Sequence, residues 1–225
     1  NCGNNGLDCG VNRENEPGNQ QAGYDLRYSF NLFDTPIAFY GQYFAEDGNN
    51  NDSFSFLMEP KIQVGIDSHL VLFNKSTTLF IEYTETFADC KDTNSIKDGN
   101  CYYEHHIYQT GMRYHKRTLG HLYDNDANTL VLGAISAINN NTDLTVKLRK
   151  LKLNTDNIDK APDNPIIGNP LTEIAEDVIM ASVKIQHSYK NWRFTVGSSF
   201  SHSSYQNNIK NRNEANFTFT AEVNL

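Results

Sequence analysis

Apolar and polar residues alternate one by one along several segments of this chain. The last segment is the clearest case, since every second residue from 215 to 225 is apolar and every residue between them is polar. Successive side chains of a β-strand point to opposite faces, so this period of two predicts a strand with one apolar and one polar face. The apolar positions are Ala215, Phe217, Phe219, Ala221, Val223 and Leu225.

Similar runs predict about nine strands in all. After the strand at 144–148, the apolar positions move to the other phase, at Leu151 and Leu153. This change indicates either a β-bulge or the edge of a membrane. The predicted strands cover residues 24–32, 37–45, 54–67, 79–83, 129–137, 144–148, 179–185, 192–200 and 215–225.

Strand length and loop length both favour a transmembrane barrel. Several runs reach the ~9–11 residues that a tilted membrane strand needs, whereas ordinary strands average ~5–6. Short turns at one end and long loops at the other are typical of outer-membrane barrels, whose long loops face outside. Short turns are predicted at 34–36, 139–142 and 191, and long connections at 47–53, 89–102, 115–128, 154–172 and 203–215.

The polar phase of these strands carries charged residues of both signs. In a barrel this face lines an enclosed lumen, whereas in a soluble β-sandwich it faces bulk water. A soluble sandwich lectin is therefore the structural alternative. The charged residues predicted to point the same way are Arg27, Glu82, Lys147, Arg149, Lys184 and Arg193.

Composition excludes other classes of protein. Hydrophobic residues make up 38% of the chain and mean hydropathy is −0.59, with no run near the ~18 apolar residues of a membrane helix. The formal net charge of −8 argues against a nucleic-acid partner, because phosphate binding needs clustered Lys and Arg.

These observations predict an all-β fold, an antiparallel transmembrane β-barrel of the bacterial outer membrane. We interpret 1–225 as a single barrel segment, with a loop-like stretch at 1–20 and antiparallel strands at 21–225. No signal peptide is present at the start, and about nine strands differ from the even number of bacterial single-chain barrels. We therefore expect this chain to supply the C-terminal half of the strands.

Four cysteines occur in two locally spaced pairs, within segments rich in Gly, Asn and Asp. In an oxidising compartment such pairs form local disulfides. A zinc site is an alternative, although no C-x-x-C spacing is present, and free thiols stay open as well. The residues are Cys2, Cys9, Cys90 and Cys101.

The segment 102–133, YYEHHIYQTGMRYHKRTLGHLYDNDANTLVLG, resembles the Wzi family of capsule-assembly proteins. The segments GYDLRYSF, FYGQYFAED and LFIEYTETFADC, upstream of it, resemble the preceding strands of that family. The resemblance implies an outer-membrane barrel with no enzymatic activity and no cofactor. It also implies that the protein binds capsular polysaccharide at the cell surface and helps to organise the capsule.

The densest polar cluster lies within this segment and comprises Arg113, Arg117, His121, Asp124 and Asp126. Two guanidinium groups would suit an acidic sugar, and paired carboxylates would suit an ion. The alternative is a network of structural salt bridges that fixes a loop. Asp124-Asn125-Asp126 lacks the later Gly and Glu of an EF-hand loop, and we predict no metal site.

Two further functions stay open. A porin-like channel fits the same strand pattern. An outer-membrane lipid esterase is suggested by His202 and Ser204, because residues two apart on a strand share a face, as a base and its nucleophile must. As partners we expect capsular polysaccharide, outer-membrane lipid and lipopolysaccharide, with the full-length protein a monomer.

Overall fold

The computed structural model describes residues 21–46, 61–87, 113–115, 117–161, 164–169, 171–206 and 211–223, and its regular structure consists of β-strands. Within these ranges, no helix is long and apolar enough to cross a membrane. Nine long strands form one sheet: β1 (Gln21–Leu32), β2 (Thr35–Glu46), β3 (Lys61–Leu72), β4 (Lys75–Glu85), β7 (Ala127–Asn139), β8 (Thr142–Leu153), β11 (Glu176–Tyr189), β12 (Trp192–Tyr205) and β13 (Arg212–Val223). Two small hairpins lie in the connections, β5 (Arg113–Tyr114) with β6 (Arg117–Thr118), and β9 (Lys160–Ala161) with β10 (Asn164–Gly168).

The large sheet is an antiparallel meander. Each long strand pairs with the next long strand along the chain, in the order β1-β2-β3-β4-β7-β8-β11-β12-β13. The prediction of about nine antiparallel strands is therefore confirmed. In the described residues, β1 and β13 form the two edges of the sheet.

The two ends of the sheet have different connections. In the described part of the chain, four two-residue turns lie at one end, at residues 33–34, 73–74, 140–141 and 190–191. The connections at the other end are longer, as expected of an outer-membrane barrel. We call these ends the turn end and the loop end.

Some predicted boundaries differ from the structure. The turn expected at 34–36 lies at 33–34, and the turn at 73–74 had no sequence-based prediction. The long connection predicted at 203–215 is wrong, since β12 continues to Tyr205 and β13 begins at Arg212. The ends of these strands carry hydroxyl, amide and charged side chains, so apolar alternation does not reveal them. The predicted strand at 54–67 lies only partly within the described residues, from Lys61 onward.

The apolar face of the sheet is bare. Phe217 and Phe219 on β13 are 73% and 64% exposed, and no second layer of the described chain covers them. Their register partners Ser198 and Val196 place them on the same face as Val183 and Ile185 of β11. An uncovered apolar face of this extent is what a membrane barrel presents to lipid, and a soluble sandwich would bury it.

The change of phase in β8 has a structural cause. The register with β7 runs from Leu144 to Leu153 without a shift, so the predicted bulge at this place is wrong. Leu151 and Leu153 instead turn their side chains to the inner face at the loop end, where they pack with Ala127 and Val178. The alternative interpretation, a membrane edge, agrees with this arrangement.

Aromatic side chains also lie on the inner face, each above a glycine of the neighbouring strand. A Cβ atom on Gly65 would lie 2.2 Å from the Tyr40 ring, and one on Gly133 would lie 2.1 Å from the Phe80 ring. Each ring therefore occupies the space that a larger side chain would need, so only glycine fits at the paired position. This pairing explains how bulky aromatic residues fit the polar phase of β2 and β4.

Candidate functional site

A cavity of about 660 Å³ opens at the loop end, between the inner face of β1–β4 and the segment 119–122. Because long loops of outer-membrane barrels face outside, this cavity lies at the outer mouth. We call it the mouth cavity. The residues that line it through inward-facing side chains or as part of the covering segment include Asp25, Gln42, Phe44, Lys61, Gln63, Thr84, Thr86 and His121.

The lining combines the groups that hold sugars. Asp25, Gln42 and Gln63 supply a carboxylate and two planar amides, which bond to hydroxyls as acceptors and donors. Phe44 supplies an aromatic ring that lies close to Gly23, where a Cβ atom would approach the ring to 2.7 Å. Aromatic faces and a few converging polar groups are the usual make-up of a small-molecule site.

A buried ion pair holds the covering segment in place. Arg113 donates from Nε to Asp124 Oδ2 at 2.8 Å and from Nη2 to Asp124 Oδ1 at 2.7 Å, and the two side chains are 6% and 3% exposed. The Asp124 backbone N–H donates to the His121 carbonyl at 2.9 Å and closes a turn. Asp124 has a φ of 56°, which an Asp tolerates better than most residues.

Asp126 joins three parts of the chain. Its backbone N–H donates to the Thr86 carbonyl at 3.2 Å, and its carbonyl accepts from Asn154 N–H at 2.9 Å. Its carboxyl accepts from the Thr155 hydroxyl and from Asp156 N–H, the latter at 3.4 Å. Burial, with Asp156 close by, raises the pKa of Asp126 to about 7 despite the hydrogen bond from Thr155. The residue thus fastens the start of β7 to the connection that follows β8.

His121 is the member of the predicted cluster that lines the mouth cavity. Burial lowers its pKa, against the opposing effect of Glu82 and Asp124, so the imidazole is neutral at neutral pH. Its Nδ1 accepts a hydrogen bond from the Tyr123 backbone N–H at 3.4 Å, so the neutral ring carries its proton on Nε2.

The structure gives the five residues of that cluster different contacts. Arg113 and Asp124 pair with each other, Asp126 fastens backbone segments, and Arg117 is exposed. Their contacts agree with a structural network for three of them, while the ligand-binding role stays a prediction.

Sequence reasoning missed Asp25, Gln42, Phe44 and Gln63. Each occupies the inward phase of its strand near the loop end, which the register of β1–β3 makes evident. A search for polar residues on the inward phase beside long loops would have found the three polar ones.

Two other predictions concern metal binding and the cysteines. No group of three or more His, Cys, Asp or Glu suited to a metal occurs within the described ranges. Cys2, Cys9, Cys90 and Cys101 lie outside the described residues.

The suggested esterase pair is incomplete. His202 Nδ1 lies 2.7 Å from Asn213 Oδ1, an arrangement that would orient an imidazole as the third member of a catalytic triad does. Among the described residues, however, Ser204 has no hydrogen bond to His202. The nucleophile of this pair therefore lacks its base in the structure.

Comparisons with known proteins agree with this architecture. A family model described as capsule assembly protein Wzi matches residues 2–218. A sequence search of curated proteins finds no significant match.

A solved structure of Wzi from Escherichia coli matches with a TM-score of 0.65 and 20% sequence identity. It covers 92% of this chain and 42% of that one, so this chain spans less than half the length of that protein. That protein is described as an outer-membrane protein involved in group 1 capsule assembly and as a carbohydrate-binding β-barrel. The likeness shows that this chain has the same barrel fold.

Proposed function

Because the chain belongs to the Wzi family of capsule-assembly proteins, an outer-membrane family, we propose that it binds capsular polysaccharide at the cell surface and helps to anchor the capsule. The observation that carries the proposal is the mouth cavity, which is lined by inward-facing polar side chains at the loop end of the sheet. Asp25, Gln42 and Gln63 would bond to sugar hydroxyls, Phe44 would stack against a sugar ring, and His121 would bond from the covering segment.

The covering segment supports this proposal. The buried Arg113–Asp124 pair and the backbone bonds of Asp126 order one wall of the cavity before any ligand arrives. A site that is already ordered loses less conformational entropy on binding. In this proposal Asp124 positions His121 through their backbone hydrogen bond, Asp126 holds the start of β7, and neither carboxylate contacts the sugar.

Substituting both amides tests the site in the full-length protein. Gln42→Ala with Gln63→Ala should weaken binding of isolated capsular polysaccharide at least tenfold and release capsule from cells into the medium. Gln186→Ala is the matched control, because Gln186 also faces inward but lies near the turn end, paired with Asp143 and Thr195. Unchanged binding and capsule retention in the double variant would refute this placement of the site.

We propose lipid and lipopolysaccharide as further partners, because the outer face of the sheet is apolar and uncovered. Its apolar side chains would contact the lipid of the membrane, and lipopolysaccharide in the outer leaflet. We propose a monomer for the full-length protein, which sedimentation in detergent would test. A dimer would contradict this.

We also propose that the protein has no enzymatic or open-channel function. Ser204→Ala and the unaltered protein should both fail to hydrolyse phospholipid, whereas activity lost on substitution would support the esterase. A porin would conduct steadily in planar bilayers, and we expect little conductance.

A further inference from the structure

Three cations gather on the inner face of β8 and β11, away from the mouth cavity. Lys147 and Arg149 occupy successive inward positions on β8. Lys184 lies on the neighbouring strand, at the next inward position after Ser182, the register partner of Lys147. A cavity of about 310 Å³ lies over these three side chains. We call this the lumen cluster.

The floor around the lumen cluster consists of short side chains. Lys184 is paired with Thr145 on one side and Gly197 on the other, while Lys147 is paired with Ser182 and Gly133. The short neighbours leave space above the sheet within reach of the long cationic side chains. Hydroxyl and amide groups complete the lining of the cavity: Thr145, Ser182, Ser199, Asn216 and Thr218.

Within the part of the chain that the structure describes, no carboxylate forms a salt bridge with the lumen cluster, although Glu82 on β4 attracts Lys147 from a longer distance. Arg149 Nη1 donates to Ser182 Oγ at 3.0 Å, and the Lys147 ammonium lies 5.7 Å from the centre of the Phe80 ring. Glu82, two strands away in the register row of Arg149, accepts a hydrogen bond from the Tyr40 hydroxyl at 3.0 Å.

Three other inward cations of this sheet have acidic partners. Arg27 lies 2.8 Å from Asp67, Arg193 lies 3.7 Å from Glu222, and Arg212 pairs with Glu214. The chain as a whole has 27 acidic and 19 basic residues. Among the described residues, three neighbouring cations without a salt-bridged carboxylate therefore depart from this pattern, and like charges at this spacing repel each other.

We propose that the lumen cluster is a second binding site, which takes a sugar bearing a carboxylate group. This inference rests on the proposed polysaccharide function and narrows it to acidic sugars. The Arg149 guanidinium matches a carboxylate through two parallel hydrogen bonds, and Lys147 and Lys184 add point charges. The hydroxyl and amide groups of the floor then bond to the ring hydroxyls. A volume of about 310 Å³ suits one or a few sugar units.

Titration of the full-length protein in detergent with glucuronate, glucose and inorganic phosphate tests this site. Glucuronate should bind and should weaken several-fold when salt is raised, since salt screens the charges. Glucose should bind at least tenfold more weakly. Phosphate that displaced glucuronate at equal concentration would overturn the assignment to an acidic sugar.

A charge-matched pair of variants locates the binding. Lys147→Gln with Lys184→Gln should weaken glucuronate binding at least tenfold. Lys150→Gln with Lys152→Gln removes the same charge from the opposite face of β8 and should leave binding unchanged. The shift of folded barrel on a gel without heating verifies that each variant has folded. Equal glucuronate binding by both variants, or none by the unaltered protein, would refute the lumen site.

This outcome is separable from that of the mouth cavity. If the Gln42 and Gln63 substitutions release capsule while the lumen variants bind glucuronate normally, the proposed function stands and the lumen site falls. If the reverse is found, the lumen cluster is the ligand site and the mouth cavity is not.

Discussion

The loop end and the turn end of this sheet differ in which side chains they bury. At the loop end, Asp124 and Asp126 are almost completely buried and bonded, over the apolar cluster that contains Leu151. At the turn end the strands are joined by bare two-residue turns, and Phe33 and Phe73 are 93% and 97% exposed.

The difference shows where the fold needs tertiary packing. The strands are held by backbone pairing along their whole length, and a membrane barrel leaves its apolar face to lipid, so packed side chains are not required at the turn end. The loop end must hold irregular backbone in a defined shape, and irregular backbone that is buried requires partners for its polar groups. The candidate site lies at the end where that packing is found.

The largest effect is expected from removing the buried ion pair. Asp124→Ala leaves the Arg113 guanidinium buried without its carboxylate, which should cost about 3–5 kcal/mol of local stability. Hydrogen exchange of residues 117–126 in the full-length protein would measure it. Glu222→Ala, near the turn end, is the control: its pair with Arg193 is about half exposed and should contribute under about 1 kcal/mol. Equal costs for the two variants would remove the contrast between the ends.

A somewhat smaller effect is expected in the apolar cluster. Leu151→Ala should destabilise the protein by about 2–4 kcal/mol, because the packed neighbours Ala127 and Val178 cannot fill the space. Leu148→Ala, three residues earlier on the outer face, should cost clearly less, since lipid chains refill the gap. Urea unfolding in lipid vesicles compares them. A larger loss for Leu148 would mean that the inner cluster does not stabilise the loop end.

A pH effect should be confined to the loop end. The folded pKa of Asp126 is about 7 and its ordinary value is 3.8, so the folded state keeps the proton where the unfolded state has lost it. Stability contributed by the protonated carboxyl is therefore complete below pH 4 and is lost as pH rises towards 7. Proteolysis of the connection at 154–175 should become faster over this range. Asp126→Asn keeps a neutral acceptor and should abolish the dependence, and an unchanged pH profile in that variant would exclude Asp126 as its source.

The smallest effect is expected at the turn end. Phe73 has a φ of 51°, which is unfavourable for a bulky side chain by about 1–2 kcal/mol, and its exposed ring has no packing partner in the described residues. Phe73→Gly should thus stabilise the full-length protein by up to about 1 kcal/mol in urea unfolding. Asn140→Gly is the control, because Asn140 does not have a positive φ. A loss of stability at Phe73 would show that the ring has a role at the membrane surface or in a contact.

Much of the sheet was predictable because strand periodicity is a local property. The alternation at 215–225 and at 24–32 identified β13 and β1 with the correct faces, and lipid contact demands apolar residues at every outward position. The prediction failed where the outward residues were not apolar, as at the polar ends of β12 and β13.

The site was less predictable than the sheet. His121 was identified from a dense polar segment, whereas Gln42 and Gln63 were not, because a single inward amide on a strand looks like any other lumen residue. Their significance depends on strand register and on the position of the covering segment, which are long-range properties.

The amino-acid sequence by itself determined the strands, their two faces and the end at which the loops lie, because these follow from the period of the backbone and from the polarity of the surroundings. Only the tertiary structure decided which polar residues meet. Several acidic residues lie near Arg113 in the sequence, and only the buried turn at Asp124 shows which of them forms the ion pair. The lumen cluster likewise required the register between β8 and β11, since residues 35 or more positions apart become neighbours only through strand pairing.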